Sequence, residues 1–200
     1  KSMSRTAKFS RLKKPSKMLF DLQQALQHQQ FYPLYGRFLR QDVVFDTGPL
    51  FLYLVGGFDS KEGTRLLDLF HYTLEDYQLL LKIIHLFKKD HTHFVITPHI
   101  LHEFIRHIQI DIATIYSDRV VLGRTREKLR EFLKELLQQI QEYPTGKNKI
   151  IDHPSFLFQW EIGDISLDVV NSLHKNCNIL LTDDKKFVES YLTRKDILLI

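Results

Sequence analysis

Four acidic side chains of this 200-residue chain stand where a strand has just ended or a helix has just begun. Asp46 closes the run Val43-Val44-Phe45-Asp46, and Glu103 lies one helical turn past Val95-Ile96-Thr97-Pro98. Asp164 opens a helix after Gly163, and Asp184 follows Ile179-Leu180-Leu181-Thr182. In an open parallel α/β sheet, ligands collect outside the carboxyl ends of the strands. Carboxylates gathered at one such edge cannot all stay ionised unless a cation sits among them. The simplest chemistry for this set is a divalent-metal site.

The elements that must position these acids alternate along the chain. Strands are expected over residues 43–46, 94–96, 178–182 and 197–200. A helix is expected from Pro49 through Leu54, ended by Gly56-Gly57, with further helices over 62–70, 74–88, Pro98 to about Ile115, 125–142, Asp164 to His174, and Lys185 to about Thr193. Thr97-Pro98 has the cap-then-proline form of a helix start. Such alternation predicts an α/β fold with a central parallel sheet of about four strands and helices on both faces. Phe156, Phe158 and Trp160, in the loop after Pro144, are placed as a lid or as core edge.

Composition supports a single domain with an appended segment. Residues 1–41 carry nine Lys/Arg against Asp21 alone, a balance of +8, while the remainder carries −4. Residues 1–41 are therefore expected to form a basic arm followed by a mostly helical extension, with Ser16 capping a helix through Leu26. A basic arm on an acidic body suits nucleic acid or an acidic partner. Lys13 and Lys14 within it are candidate nucleic-acid contacts. The single cysteine, Cys177, excludes an internal disulfide and fits a reducing compartment. No apolar run of membrane-spanning length and no signal-peptide pattern is present, so a cytoplasmic protein without membrane contact is expected.

The segments VVFDTGPLFLYL, ITPHILHEFI, IGDISLDVV and ILLTDDKKF, in this order, resemble the metal-binding motifs of the PilT N-terminus (PIN) domain nucleases, which include the VapC toxins of bacterial toxin–antitoxin pairs. The resemblance covers about residues 42–200 and implies the three-layer PIN-like fold. It assigns Asp46 as the first-strand aspartate with Thr47 as its hydroxyl neighbour, Glu103 as the second carboxylate and Asp164 as the third. Thr182 and Asp184 match the fourth motif, with Asp183 at its variable position as a supporting candidate. Asp168 lies one turn after Asp164 on the same helix face and could also reach the site, so the direct ligand is left open between them.

The implied cofactor is Mg²⁺ or Mn²⁺, hard cations that prefer carboxylate and water oxygens. The implied reaction is endonucleolytic hydrolysis of RNA, in which the metal activates a water against the phosphodiester. No Ser/His/Asp arrangement competes for that role. The resemblance also brings in a toxin or RNA-processing role, an inhibitory antitoxin and a second copy of the chain as candidate partners. Cleavage of DNA by the same site, or a non-cleaving scaffold that binds nucleic acid or protein, are the alternatives. Phosphate contacts are expected from Arg106, about one turn beyond Glu103, and from Lys185 and Lys186 directly after Asp184, since basic residues opening a helix oppose its dipole and suit a ligand. His99, Glu103 and His107 share one helix face, but Arg106 stands where an HExxH zinc motif would place its second histidine.

Overall fold

The computed structural model describes residues 40–89, 92–115, 119–154, 162–174, 176–177, 179–184 and 198–199. Five strands, β1 (Val43–Phe45), β2 (Phe94–Ile96), β3 (Gln141–Glu142), β4 (Ile179–Leu181) and β5 (Leu198–Leu199), form one sheet in the order β3-β2-β1-β4-β5. Every pairing is parallel, with Val43 opposite Phe94 on one side and Ile179 on the other. Successive strand residues point to opposite faces, and Val43, Val44 and Phe45 are all fully buried. Both faces of the sheet are therefore covered, as an all-parallel sheet requires. The three-layer α/β architecture expected from the alternation is present.

The cover is helical: α1 (Thr47–Glu62), α2 (Leu74–Lys89), α3 (Pro98–Ile115), α4 (Arg119–Leu137), α5 (Lys147–Ile151) and α6 (Ile162–Leu173), with a 3₁₀ turn at Leu66–Phe70. Helix α1 is apolar on all sides, with Leu50 through Val55 and Phe58 buried, because it packs against α2, α3, α4 and the 3₁₀ turn together. No helix of the described residues is long and apolar enough to cross a membrane.

Three expectations are corrected. Gly56-Gly57 does not end α1, which continues to Glu62 and stops at Gly63 in the left-handed conformation (φ 66°). The pair serves packing instead: a Cβ on Gly56 would lie 2.5 Å from Tyr77 Cδ2, and one on Gly57 would lie 3.0 Å from Phe132 Cζ. The expected helix over 62–70 is only the end of α1 and the 3₁₀ turn. Buried Asp59 accepts hydrogen bonds from the amides of Leu66 (3.0 Å) and Leu67 (2.8 Å) and from the Thr64 hydroxyl, which holds that turn. The expected helix over 125–142 runs from Arg119 to Leu137 and gives way to β3, an exposed edge strand whose polar residues carry no strand pattern. The sheet thus has five strands where about four were expected. The arm and helix of residues 1–39, the aromatic loop and the helix after Lys185 lie outside the described residues.

The glycines of α1 and α4 should respond oppositely to alanine. In α4, Gly123 is exposed with nothing near its absent Cβ. Gly123→Ala should therefore raise unfolding stability by about 1 kcal/mol through helix propensity. For Gly56→Ala the same gain is outweighed by an overpacking cost of roughly 1–3 kcal/mol against Tyr77, so the variant should be less stable than the parent. Urea denaturation of the two variants measures both signs.

Candidate functional site

The strand order sets the location of the site. From β1 the chain moves toward β2 on one side, whereas from β4 it moves toward β5 on the other. The crevice of a doubly wound sheet opens at such a reversal, beyond the carboxyl ends of the two adjacent strands. Asp46 follows β1, and Asp183 and Asp184 follow β4, so all three stand at that reversal.

Asp46 is fastened from several directions. Its amide donates to Leu181 O (2.9 Å), and its carbonyl accepts from the amide of Leu50 as α1 begins. Its Oδ1 accepts from the amide of Thr47 (2.6 Å), and Oδ2 accepts from the Thr182 hydroxyl (2.6 Å). The Thr182 Oγ1 in turn accepts from the amide of Asp184 (3.2 Å), so one hydroxyl couples Asp46 to the turn after β4. Thr47 Oγ1 donates to Glu103 Oε2 (2.9 Å), which draws the α3 glutamate to the same place.

A second relay positions Asp164. Thr97 Oγ1 accepts from the amide of Ile100 (3.2 Å) and lies 2.7 Å from Ser166 Oγ, and Ser166 donates to Gly163 O (2.7 Å). With Ile100 as the first donor, the proton order runs from Thr97 through Ser166 to the Gly163 carbonyl. Both hydroxyls are fully buried, and they pin the start of α6 against the start of α3. Gly163 is then so close to Glu103 that an added Cβ would lie 3.0 Å from Oε2.

The result is a cleft of about 250 Å³ lined by Asp46, Glu103, Asp164, Asp183 and Asp184, with His107, Thr47 and Tyr72 beside them. Phe51 and Phe70, their ring centroids 3.5 Å apart, form its apolar wall. No Lys or Arg is among the described lining residues. Burial pushes the Asp46 carboxyl up to about 7; the bonds from Thr182 and Thr47 oppose the rise, and the charges of Asp164 and Asp183 add to it.

The expected residues that the structure describes divide between the cleft and its surroundings. Asp46, Thr47, Glu103, Asp164, Asp183 and Asp184 meet in the cleft, and Thr182 lies buried behind Asp46. Asp168 does not line it and instead binds His153 Nε2 (2.9 Å). Both residues after Thr182 line the cleft, but Asp183 accepts a short hydrogen bond from the Tyr72 hydroxyl. Burial first, then Asp183, raises the Tyr72 pKa, which keeps the phenol a donor. A Cβ on Gly48 would collide with Asp183 Oδ1 and the Tyr72 oxygen. Arg106 is exposed on α3 and does not line the cleft. Lys13, Lys14, Lys185 and Lys186 lie outside the described residues.

Tyr72, Gly48, Gly163 and the phenylalanine wall were not anticipated. Gly48 has a sequence signal in following Asp46-Thr47 directly; Tyr72 has none, since only the tertiary fold brings it 111 residues along the chain to Asp183. His107 also lines the cleft, with Nε2 3.9 Å from Glu103 Oε1.

The donor set suits a hard divalent cation, being wholly carboxylate and hydroxyl oxygen apart from His107. Among the described residues, no three His, Cys, Asp or Glu side chains converge closely enough to hold one ion by themselves. Mg²⁺ does not require such a cage, since it is usually held by one or two carboxylates with several retained waters. No protein-family model, curated protein or solved structure matches the chain.

The raised Asp46 pKa makes a stability prediction for metal-free protein. A carboxyl at about 7 when folded and near 3.8 when unfolded stabilises the fold below the lower value. That contribution, at most about 4 kcal/mol, is lost as the pH rises from about 4 through about 7. Asp46→Asn cannot ionise and should show a flatter profile. At about pH 8 it should be more stable than the parent by roughly 1–3 kcal/mol, after allowing for one weakened hydrogen bond. Parallel stability curves for both proteins in chelator check this: if Asp46 were instead a stabilising anion, the variant would be the less stable of the two at about pH 8.

Proposed function

We propose that the chain is a divalent-metal-dependent endoribonuclease of the PIN type. The observation that carries this reading is the set of five carboxylates, with no Lys or Arg among the described lining residues, around one cleft at the sheet's reversal point. The motif resemblance supplies the family and RNA as the substrate. A cytoplasmic toxin or RNA-processing role, with an inhibitory protein or a second copy as partner, belongs to the same reading.

Asp46, Glu103, Asp164 and Asp184 would hold Mg²⁺ or Mn²⁺. When bound, the ion supplies an activated water and stabilises charge on the departing oxygen of a phosphodiester. Thr182 and Thr47 fix the Asp46 and Glu103 carboxylates, so less reorganisation is needed on binding. Tyr72 occupies one oxygen of Asp183, and the register of the fourth motif makes Asp184 the proposed ligand after β4. The Phe51–Phe70 wall limits water on one flank of the cleft.

Labelled RNA and DNA incubated with Mn²⁺, Mg²⁺ or EDTA test the proposal directly. Cleavage of RNA that EDTA abolishes is expected. Cleavage confined to DNA would reassign the substrate, and cleavage of neither would leave a binding scaffold. Asp46→Asn and Asp184→Ala should each lower turnover by more than the roughly 100-fold that loss of an outer partner causes, whereas Thr182→Val should cost about 10–100-fold. Asp183→Ala should be milder than Asp184→Ala, and the reverse order would move the fourth ligand to Asp183.

A further inference from the structure

A cleft lined by carboxylates repels the phosphates it would have to receive, so a polyanion must be drawn there by cations elsewhere. The α3–α4 pair carries a set of them. On α4, Arg126, Arg130 and Lys134 recur every four residues and so share one face of the helix. That face adjoins α3, because Arg126 Nη2 reaches the carbonyl of Gln109 at 3.5 Å. On α3, Arg106 lies one turn before Gln109 and next to His107, which lines the cleft. All four cations are exposed. Arg106, Arg130 and Lys134 make no ion pair with any acid among the described residues, whereas Lys128, on another face of α4, is paired with Glu62 (2.6 Å). The acids of α4, Glu127, Glu131 and Glu135, fall on the adjoining strip, leaving the α3 side basic.

We infer that Arg106, Arg126, Arg130 and Lys134 form a phosphate-binding track across the α3–α4 pair that leads a nucleic-acid strand to the acidic cleft. The inference rests on the nuclease reading above and adds the surface that holds the substrate's backbone. Arginine suits the role, since its guanidinium fork meets phosphate oxygens bidentately. Contacts of this kind do not read sequence; they hold and orient the strand.

The test separates binding from cleavage by using full-length protein in EDTA and a short fluorescein-labelled oligouridylate. Binding is followed by anisotropy across a KCl titration. Each phosphate contact on a single strand contributes roughly 0.7 to the slope of log affinity against log salt. Arg126→Gln/Arg130→Gln should therefore flatten the slope by about 1.4 and weaken binding at every salt concentration. Lys82→Gln/Lys89→Gln removes the same charge from the exposed side of α2 and should leave the slope unchanged. If Arg126→Gln disturbs the α3–α4 contact, seen as altered circular dichroism, Arg130→Gln/Lys134→Gln carries the same expectation. Equal slopes for the parent and the track variants, or equal flattening by the lysine control, would overturn the inference. Mn²⁺-dependent hydrolysis of bis(p-nitrophenyl) phosphate, too small to span the track, should be the same in the parent and the track variants. A parent that binds the strand with the expected slopes but cleaves neither ester nor RNA would sink the nuclease reading and leave the track standing.

Discussion

Mutual repulsion among carboxylates is the constraint around which the carboxyl edge of this sheet is organised. Five acids line one cleft, and Asp46 is all but buried there. Hydroxyl groups hold them at that distance. Thr182 bonds Asp46, Thr47 bonds Glu103, and Tyr72 bonds Asp183, so three of the five each accept from a neutral donor. A neutral donor stabilises a carboxylate without neutralising it, which leaves the cleft charged. Asp46 still rises to about 7, chiefly because burial penalises its charged form, with the charges of Asp164 and Asp183 adding to the rise.

The scaffold beneath has to be stiff for such an arrangement to persist. Asp46 is both the last residue out of β1 and the N-cap of α1, so the buried helix and the charged edge share one residue. Because α1 is enclosed by three helices and the 3₁₀ turn, its first turn has little freedom to retreat from the acids. Where α1 meets its neighbours most closely, glycine removes the side chain: Gly48 makes room for Asp183 and Tyr72, and Gly56 and Gly57 make room for Tyr77 and Phe132.

The fold class and the position of the acids were legible because they rest on local signals. Alternating apolar runs gave the strands around Val43, Val95 and Leu180, and a strand followed by an acid placed Asp46 and Asp184 at the sheet's edge. What could not be read depends on partners distant in sequence. Gly56-Gly57 has the composition of a helix stop, and only the rings of Tyr77 and Phe132 explain why the helix runs on. The strand Gln141–Glu142 exists through its pairing with Val95 and Ile96, and neither residue favours an extended backbone. Helical spacing allowed Asp168 to face the site as Asp164 does, but His153 occupies its carboxylate. Tyr72 was invisible for the same reason, as its role exists only through Asp183.

The bond between Thr182 and Asp46 spans 136 positions of the chain. During synthesis β1 is made before β4, and between them pass α1 to α6 and the two strands on the far side. A nascent chain can pair β1 with β2 long before the residues that complete the acidic edge exist. The cleft therefore forms only after β4 and the turn that follows it have been made. Until residue 184 is free to fold back, Asp46 has no threonine donor from β4, and a chain stalled before that point carries the first three acids without the edge that gathers them.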